Sequence, residues 1–171
     1  MTHSLLPHAP ALDEPLEMLE ACHERIEAQL KTLERLAAYL PDHGADVQAR
    51  QAASAILRYF ELAGPNHHED EERDLFPLLA QRAPDSQPLL TEIAIEHITL
   101  EGMWSRLREQ LLAVNAGEAQ ALDVHLSQAF VQRYRAHIDH EEHQLLPLAH
   151  QLLSADELEQ IGGTMSARRR D

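Results

Sequence analysis

Two stretches of this chain set a histidine and a carboxylate where the pair could hold a metal ion. Asn66–Pro77 reads N-H-H-E-D-E-E-R-D-L-F-P, and its frame returns seventy positions later in His137–Pro147. The matched pairs include Phe60/Phe130, His67/His137, Glu71/Glu141, Glu72/Glu142, Leu75/Leu145 and Pro77/Pro147. Both copies therefore read H-x-x-x-E-E-x-x-L-[FL]-P-L. Residues four apart on a helix lie one above the other on the same face. Each copy thus offers an imidazole and a carboxylate side by side, a donor pair suited to a divalent cation.

The elements that must position these pairs are long amphipathic helices. The first carries the apolar seam Leu12, Leu16, Leu19, Ile26, Leu30, Leu33, Ala37, Leu40 in steps of three and four, with His23 at a position where the pattern expects an apolar residue. Pro41-Asp42-His43-Gly44 is expected to end it. The second spans about 45 to 81 with Ala53, Ile56, Phe60, Ala63, His67, Glu71, Leu75 and Leu78 inward. Gly64-Pro65 predicts a kink or break just before the motif.

The third helix, about 87 to 115, has the seam Leu90, Ile93, His97, Leu100, Trp104, Leu107, Leu111, Val114, again with a histidine in a core position. The fourth, about 118 to 153, turns Leu122, Leu126, Phe130, His137, Glu141, Leu145 and Leu148 inward. Ser154-Ala155-Asp156-Glu157 fits a capping box for a short terminal helix ending near Ile161, before Gly162-Gly163. Short connections between four long helices predict an all-α fold, an antiparallel up-down-up-down four-helix bundle with a short C-terminal helix. The expected domain organisation is a loose leader over 1–11, one bundle over 12–161 and a disordered tail over 162–171. Helices one and three also align around Leu19/Ile93, His23/His97 and Ile26/Leu100, so the chain reads as two related helical hairpins.

Four inward histidines make one site only if they lie at one height. His97 and His137 stand eighteen and nineteen residues from the turn between their helices, about 28 Å at ~1.5 Å per residue. His23 and His67 differ by about 7 Å on the same measure, which a kink at Gly64-Pro65 would absorb. An isolated H-x-x-x-E is weak evidence, and a lone histidine on an apolar face is more often a core residue bonded to a neighbour. Here four histidines and two carboxylates interrupt apolar seams at one level, with no basic residue in those seams to pair with the carboxylates. Buried charge of that kind is costly unless paired or bound to metal.

Imidazoles with carboxylates, and no thiolate in the set, suit iron, manganese or zinc. Four His and two Glu are too many for one tetrahedral zinc, and suit two ions sharing carboxylates in a bundle core. Iron is the first choice, because its open positions can hold dioxygen or nitric oxide.

The chain resembles the hemerythrin-like, or HHE cation-binding, proteins over about residues 12–153: a lone His on helices one and three and H-x-x-x-E-E-x-x-L-F-P on two and four. The resemblance implies His23, His67, Glu71, His97, His137 and Glu141 as ligands of two irons per chain, with Glu71 and Glu141 bridging. It departs from the family's oxygen carriers at Glu101, where those carriers have a fifth histidine. Either Glu101, His68 or His140 completes the set, or a position stays open for a ligand.

His68/Glu72 competes with His67/Glu71 as the helix-two pair, and the repeat favours the latter. Glu69, Asp70 and Arg73 are expected on the wet face of that helix, and His140, His143 and His150 on exposed or flanking faces. Cys22 reads as a small core residue, and Phe60 and Trp104 as packing beside the site. Tyr59 and Tyr134 either pack or donate a hydrogen bond to a bound ligand.

The balance of 29 acidic against 14 basic residues, net −15, argues against nucleic acid and anionic membranes as partners. Arg168-Arg169-Arg170 is the one basic run, expected to be solvated. One cysteine precludes an internal disulfide, and without a signal-like start a cytoplasmic location is expected. The functional expectation is a non-haem di-iron protein binding a small diatomic ligand (O₂ or NO) for sensing, storage or scavenging. The alternatives are a di-iron enzyme of peroxide or NO detoxification or iron–sulfur repair, and a metal-free or zinc-binding structural bundle. The sequence does not determine the number of chains that assemble.

Overall fold

The computed structural model describes residues 14–170, and the expected leader over 1–11 lies outside them. Helix α1 runs Pro15–His43, α2 Val47–Glu69, α3 Phe76–Arg82, α4 Gln87–Ala116, α5 Val124–His140, α6 Leu146–Leu152 and α7 Ala155–Arg168. Among the described residues there is no strand. One π-helical segment, Asp70–Leu75, joins α2 to α3, and a second, Glu141–Leu145, joins α5 to α6. The long arms pack in a ring: α1 against α2 and α5, and α4 against α2 and α5.

The starts of α2 and α5 are fixed by side chains. Asp46 accepts from the Ala49 N–H and Asp123 from the Leu126 N–H, each satisfying a donor that the first turn leaves free. Ser154 and Glu157 form the expected capping box of α7.

Several boundaries differ from the sequence expectation. Helix α1 continues through Pro41 to His43, and Gly44 ends it at φ 66°, a positive-φ conformation that stops the spiral and that glycine adopts without strain. Helix α2 passes through Gly64-Pro65 without a break; the irregularity comes later, at the π segment. There the Phe76 N–H reaches back five residues to the Glu71 carbonyl, and the Leu146 N–H to the Glu141 carbonyl. Pro77 and Pro147 follow directly. Proline cannot donate and its ring crowds the carbonyl four residues back, so the turn before it widens.

The expected disordered tail over 162–171 is corrected as far as Arg168 by α7, which buries Ile161, Gly162, Met165 and Ser166; residue 171 lies outside the described residues. Burial of Ile161 and Met165 outweighs the low helix propensity of Gly162-Gly163.

The apolar interior is divided. One cluster holds Ile26, Leu30, Phe60, Leu100, Leu107, Phe130 and Tyr134; the other holds Leu16, Leu19, Leu75, Leu90, Ile93, Leu145 and Met165. On α1 and α4 the histidine follows the residues of the second cluster and precedes those of the first. On α2 and α5 the order is reversed. The four histidines therefore lie in a polar layer between two apolar blocks.

Candidate metal centre

Within that layer His23, His67, Glu71, His97, His137 and Glu141 are all at most 2% exposed. The structure brings all six together, in two histidine pairs. His23 and His67 meet edge to face at 4.9 Å between ring centroids, and His97 and His137 at 4.8 Å. The two carboxylates stand between the pairs, and each gives one oxygen to either side. Glu71 Oε1 lies 3.5 Å from His67 Nε2, and its Oε2 lies 3.2 Å from His97 Nε2. Glu141 Oε2 lies 3.0 Å from His23 Nε2 and 3.8 Å from His67 Nε2, while its Oε1 lies 2.9 Å from His137 Nε2 and 3.3 Å from His97 Nε2.

These atoms are close without being satisfied. His23 Nε2, both nitrogens of His67, both oxygens of Glu71, His137 Nε2 and Glu141 Oε2 are buried without a hydrogen-bond partner of acceptable geometry. Buried polar atoms are normally paired. Here they converge on common points instead of aiming N–H at oxygen, as donor atoms around a cation do. His23, His67, Glu71 and Glu141 each offer an atom within 4.8 Å of the others, and His68, His97 and His137 form a second such group.

Electrostatics agree. The His67 imidazole is resisted by burial, yet Glu71, Cys22 and Glu141 hold its pKa well above the usual value. His97, also opposed by burial, is pushed by Glu141 and Glu71 up to about 10, and His137 is raised by Glu141 against burial. Burial pushes the Glu141 carboxyl upward, but His137, His23, His67 and His97 hold it well below the ordinary range. In the absence of a cation, protons on His67, His97 and His137 offset the buried negative charge of Glu141. A divalent ion would take over that role and displace them.

The outward nitrogens are held in turn. His97 Nδ1 donates to Glu72 Oε1 at 2.6 Å, His23 Nδ1 to Glu142 Oε1 at 3.0 Å, and His137 Nδ1 to Glu96 Oε2 at 2.8 Å. Such bonds keep a proton on Nδ1, so that Nε2 is the nitrogen a cation would take on displacing the inner proton. Sequence reasoning missed these three carboxylates. The doubled E-E of both repeats was a signal for Glu72 and Glu142, since successive residues project about 100° apart on a helix; Glu96 gave none. Glu72 serves His97 and so is no partner of His68.

His68 is nevertheless inward, 7% exposed and stacked on His97 at 3.9 Å. Burial and the neighbouring His97, His67 and His137 push its pKa well below the ordinary value, so it stays neutral. Its Nε2 lies 3.3 Å from the Tyr134 hydroxyl. Glu101 is exposed and 3.7 Å from His68 Nδ1. His140 is mostly buried beside Glu96 at 3.0 Å, whereas His143 and His150 are exposed. Tyr59 donates to the Cys22 carbonyl, and Phe60 and Trp104 pack at 5.0 Å. Asp70, expected on the wet face, is fully buried.

A helical bundle with a buried histidine and carboxylate cluster defines a cation-binding class of protein. Residues 14–149 match the family model of the Hemerythrin HHE cation binding domain, and the chain belongs to that family. It is also similar to an uncharacterized protein of Haemophilus influenzae, 40% identical over 157 residues that make up 92% of this chain and 91% of the relative. No described helix is long and apolar enough to cross a membrane.

Proposed function

We propose that this chain is a non-haem di-iron protein whose centre binds a small diatomic ligand, O₂ or NO, for sensing, storage or scavenging. The observation that carries the two-ion reading is the division of each carboxylate, one oxygen toward His23/His67 and the other toward His97/His137. One iron would be held by His23 and His67, the other by His97 and His137, with Glu71 and Glu141 shared. Four imidazoles and two carboxylates suit iron in this arrangement. The alternating order of apolar block and histidine along the four arms supports an antiparallel up-down-up-down topology.

Iron would supply an open coordination position for the ligand. The chain's own contribution is to exclude water and shape the approach. A cleft of about 40 Å³ is lined by Phe60, Leu100, Trp104, Phe130, His68 and Tyr134, about the room one small molecule needs. His68, neutral and stacked on His97, stands between this cleft and the centre, where it and Tyr134 could hydrogen-bond a ligand.

Metal analysis and optical spectra test the reading, using protein loaded anaerobically with ferrous iron and then exposed to O₂, azide or NO. Two irons per chain and a stable adduct of fixed stoichiometry are expected. Fewer than one iron per chain would favour a structural bundle, and consumption of many equivalents of NO or peroxide would favour an enzyme.

A further inference from the structure

The C-terminal helix reaches the metal centre by a route outside the family domain, whose match ends at residue 149. Helix α7 buries Ile161 and Met165 in the apolar cluster beneath the centre, with Leu16, Leu19 and Leu75. At its end stand two arginines that the sequence had suggested were solvated. Arg168 Nη1 donates to Asp70 Oδ1 and, at 2.9 Å, to Asp74 Oδ2; its Nε lies 3.3 Å from Glu69. Arg169 Nη2 donates to the other oxygen of Asp70 at 2.5 Å. Asp70 is fully buried, opens the π segment and directly precedes Glu71.

The internal repeat explains why this half needs such a tie. The counterpart of Asp70 is His140, and the counterpart of His67 is His137; both are held by Glu96 of α4, at 3.0 and 2.8 Å. By the alignment of His23 with His97, the residue at the place of Glu96 is Cys22, a much weaker hydrogen-bonding partner. His67 Nδ1 has no hydrogen-bond partner of acceptable geometry, and the Cys22 thiol beside His67 is all that stands where Glu96 serves His137. One carboxylate thus braces the α5 half from within the bundle, and the α2 half has no equivalent brace within it.

We propose that α7 is that brace: Arg168 and Arg169 grip Asp70, fix the π turn that aims Glu71, and so retain the ion of the His23/His67 pair. They are positioning residues that act through Asp70. This rests on the two-ion reading above; because Glu71 faces both pairs, both ions feel its loss of aim, and the ion of the His23/His67 pair feels it more, since Glu96 still braces the other half.

The test loads the full chain anaerobically with ferrous iron, adds excess chelator and follows release of each equivalent. In the R168Q/R169Q variant one equivalent should leave about 10-fold faster or more, the usual scale for losing an outer support of a metal site, and the other with a clearly smaller change. R169Q alone, which keeps the Arg168 contacts, should speed the same equivalent by a smaller factor. R168K/R169K should recover part of the loss, since lysine keeps the charge without the planar fork. If both variants with glutamine keep wild-type helicity and release both equivalents at wild-type rates, or both equivalents equally faster, the brace is wrong. A wild-type chain that loads no iron overturns the metal reading and the brace with it; a wild type that loads two beside an unaltered variant overturns the brace alone.

Discussion

His97 is held from both sides: its Nδ1 lies 2.6 Å from Glu72 Oε1, while its Nε2 faces the buried oxygens of Glu71 and Glu141 at 3.2 and 3.3 Å. Glu142 does the same for His23. Both orienting carboxylates come from the second Glu of the repeat. Glu72→Gln and Glu142→Gln are expected to keep the fold and weaken iron binding by about 10–100-fold each, read by competition with a chelator of known affinity. Unchanged affinity would show that the outward bonds do not orient the ligands.

Ligand identity on α2 is separable by mutation. His67→Ala should lose at least one of two irons, because His67 Nε2 faces both carboxylates. His68→Gln should retain both while altering the response to azide or NO, because His68 lines the cleft. Metal content that drops with His68→Gln and not with His67→Ala would reverse the assignment. Loss of iron from His137→Ala is the matching expectation on α5, and intact iron content there would sink the six-residue set.

Stability of the iron-free chain should fall as pH rises. His97 is raised from 6.5 to about 10 in the folded chain by Glu141 and Glu71 against burial, so its stabilising proton is fully effective below about 6.5 and lost by about 10. Glu141 is shifted the other way, and its contribution is present above its ordinary value of 4.5 and lost as pH falls below it. Denaturant midpoints of iron-free protein should therefore be highest between these limits and decline toward pH 10. Iron should flatten the alkaline decline by replacing the protons. An iron-free chain equally stable at pH 6 and pH 10 would contradict the buried charge balance.

Above the centre, Phe130 is 1% exposed and packs on Phe60, Tyr134 and Trp104 at 5.4–6.1 Å between centroids. Phe130→Ala should cost about 3–5 kcal/mol through lost burial and the cavity left behind, a fall in Tm of roughly 6–20 °C for a chain of this length. It should also enlarge the cleft and speed ligand entry, measurable by stopped flow. A smaller shift would mean that the aromatic cluster collapses to fill the space.

The sequence by itself determined the helices, because the spacing of Leu16, Leu19, Ile26 and Leu30 fits only a helical period, and it singled out His23, His67, His97 and His137, because they interrupt those seams. The repeat marked Glu71 and Glu141 before any geometry was known. Tertiary structure alone decided that Glu72, Glu142 and Glu96 support the imidazoles, since each reaches a histidine on another helix and pairings between helices leave no trace in periodicity. It alone placed Asp70 inside. Helical spacing put that residue on the wet face, and only the return of α7, carrying Arg168 and Arg169, supplies the charge that lets a carboxylate be buried there.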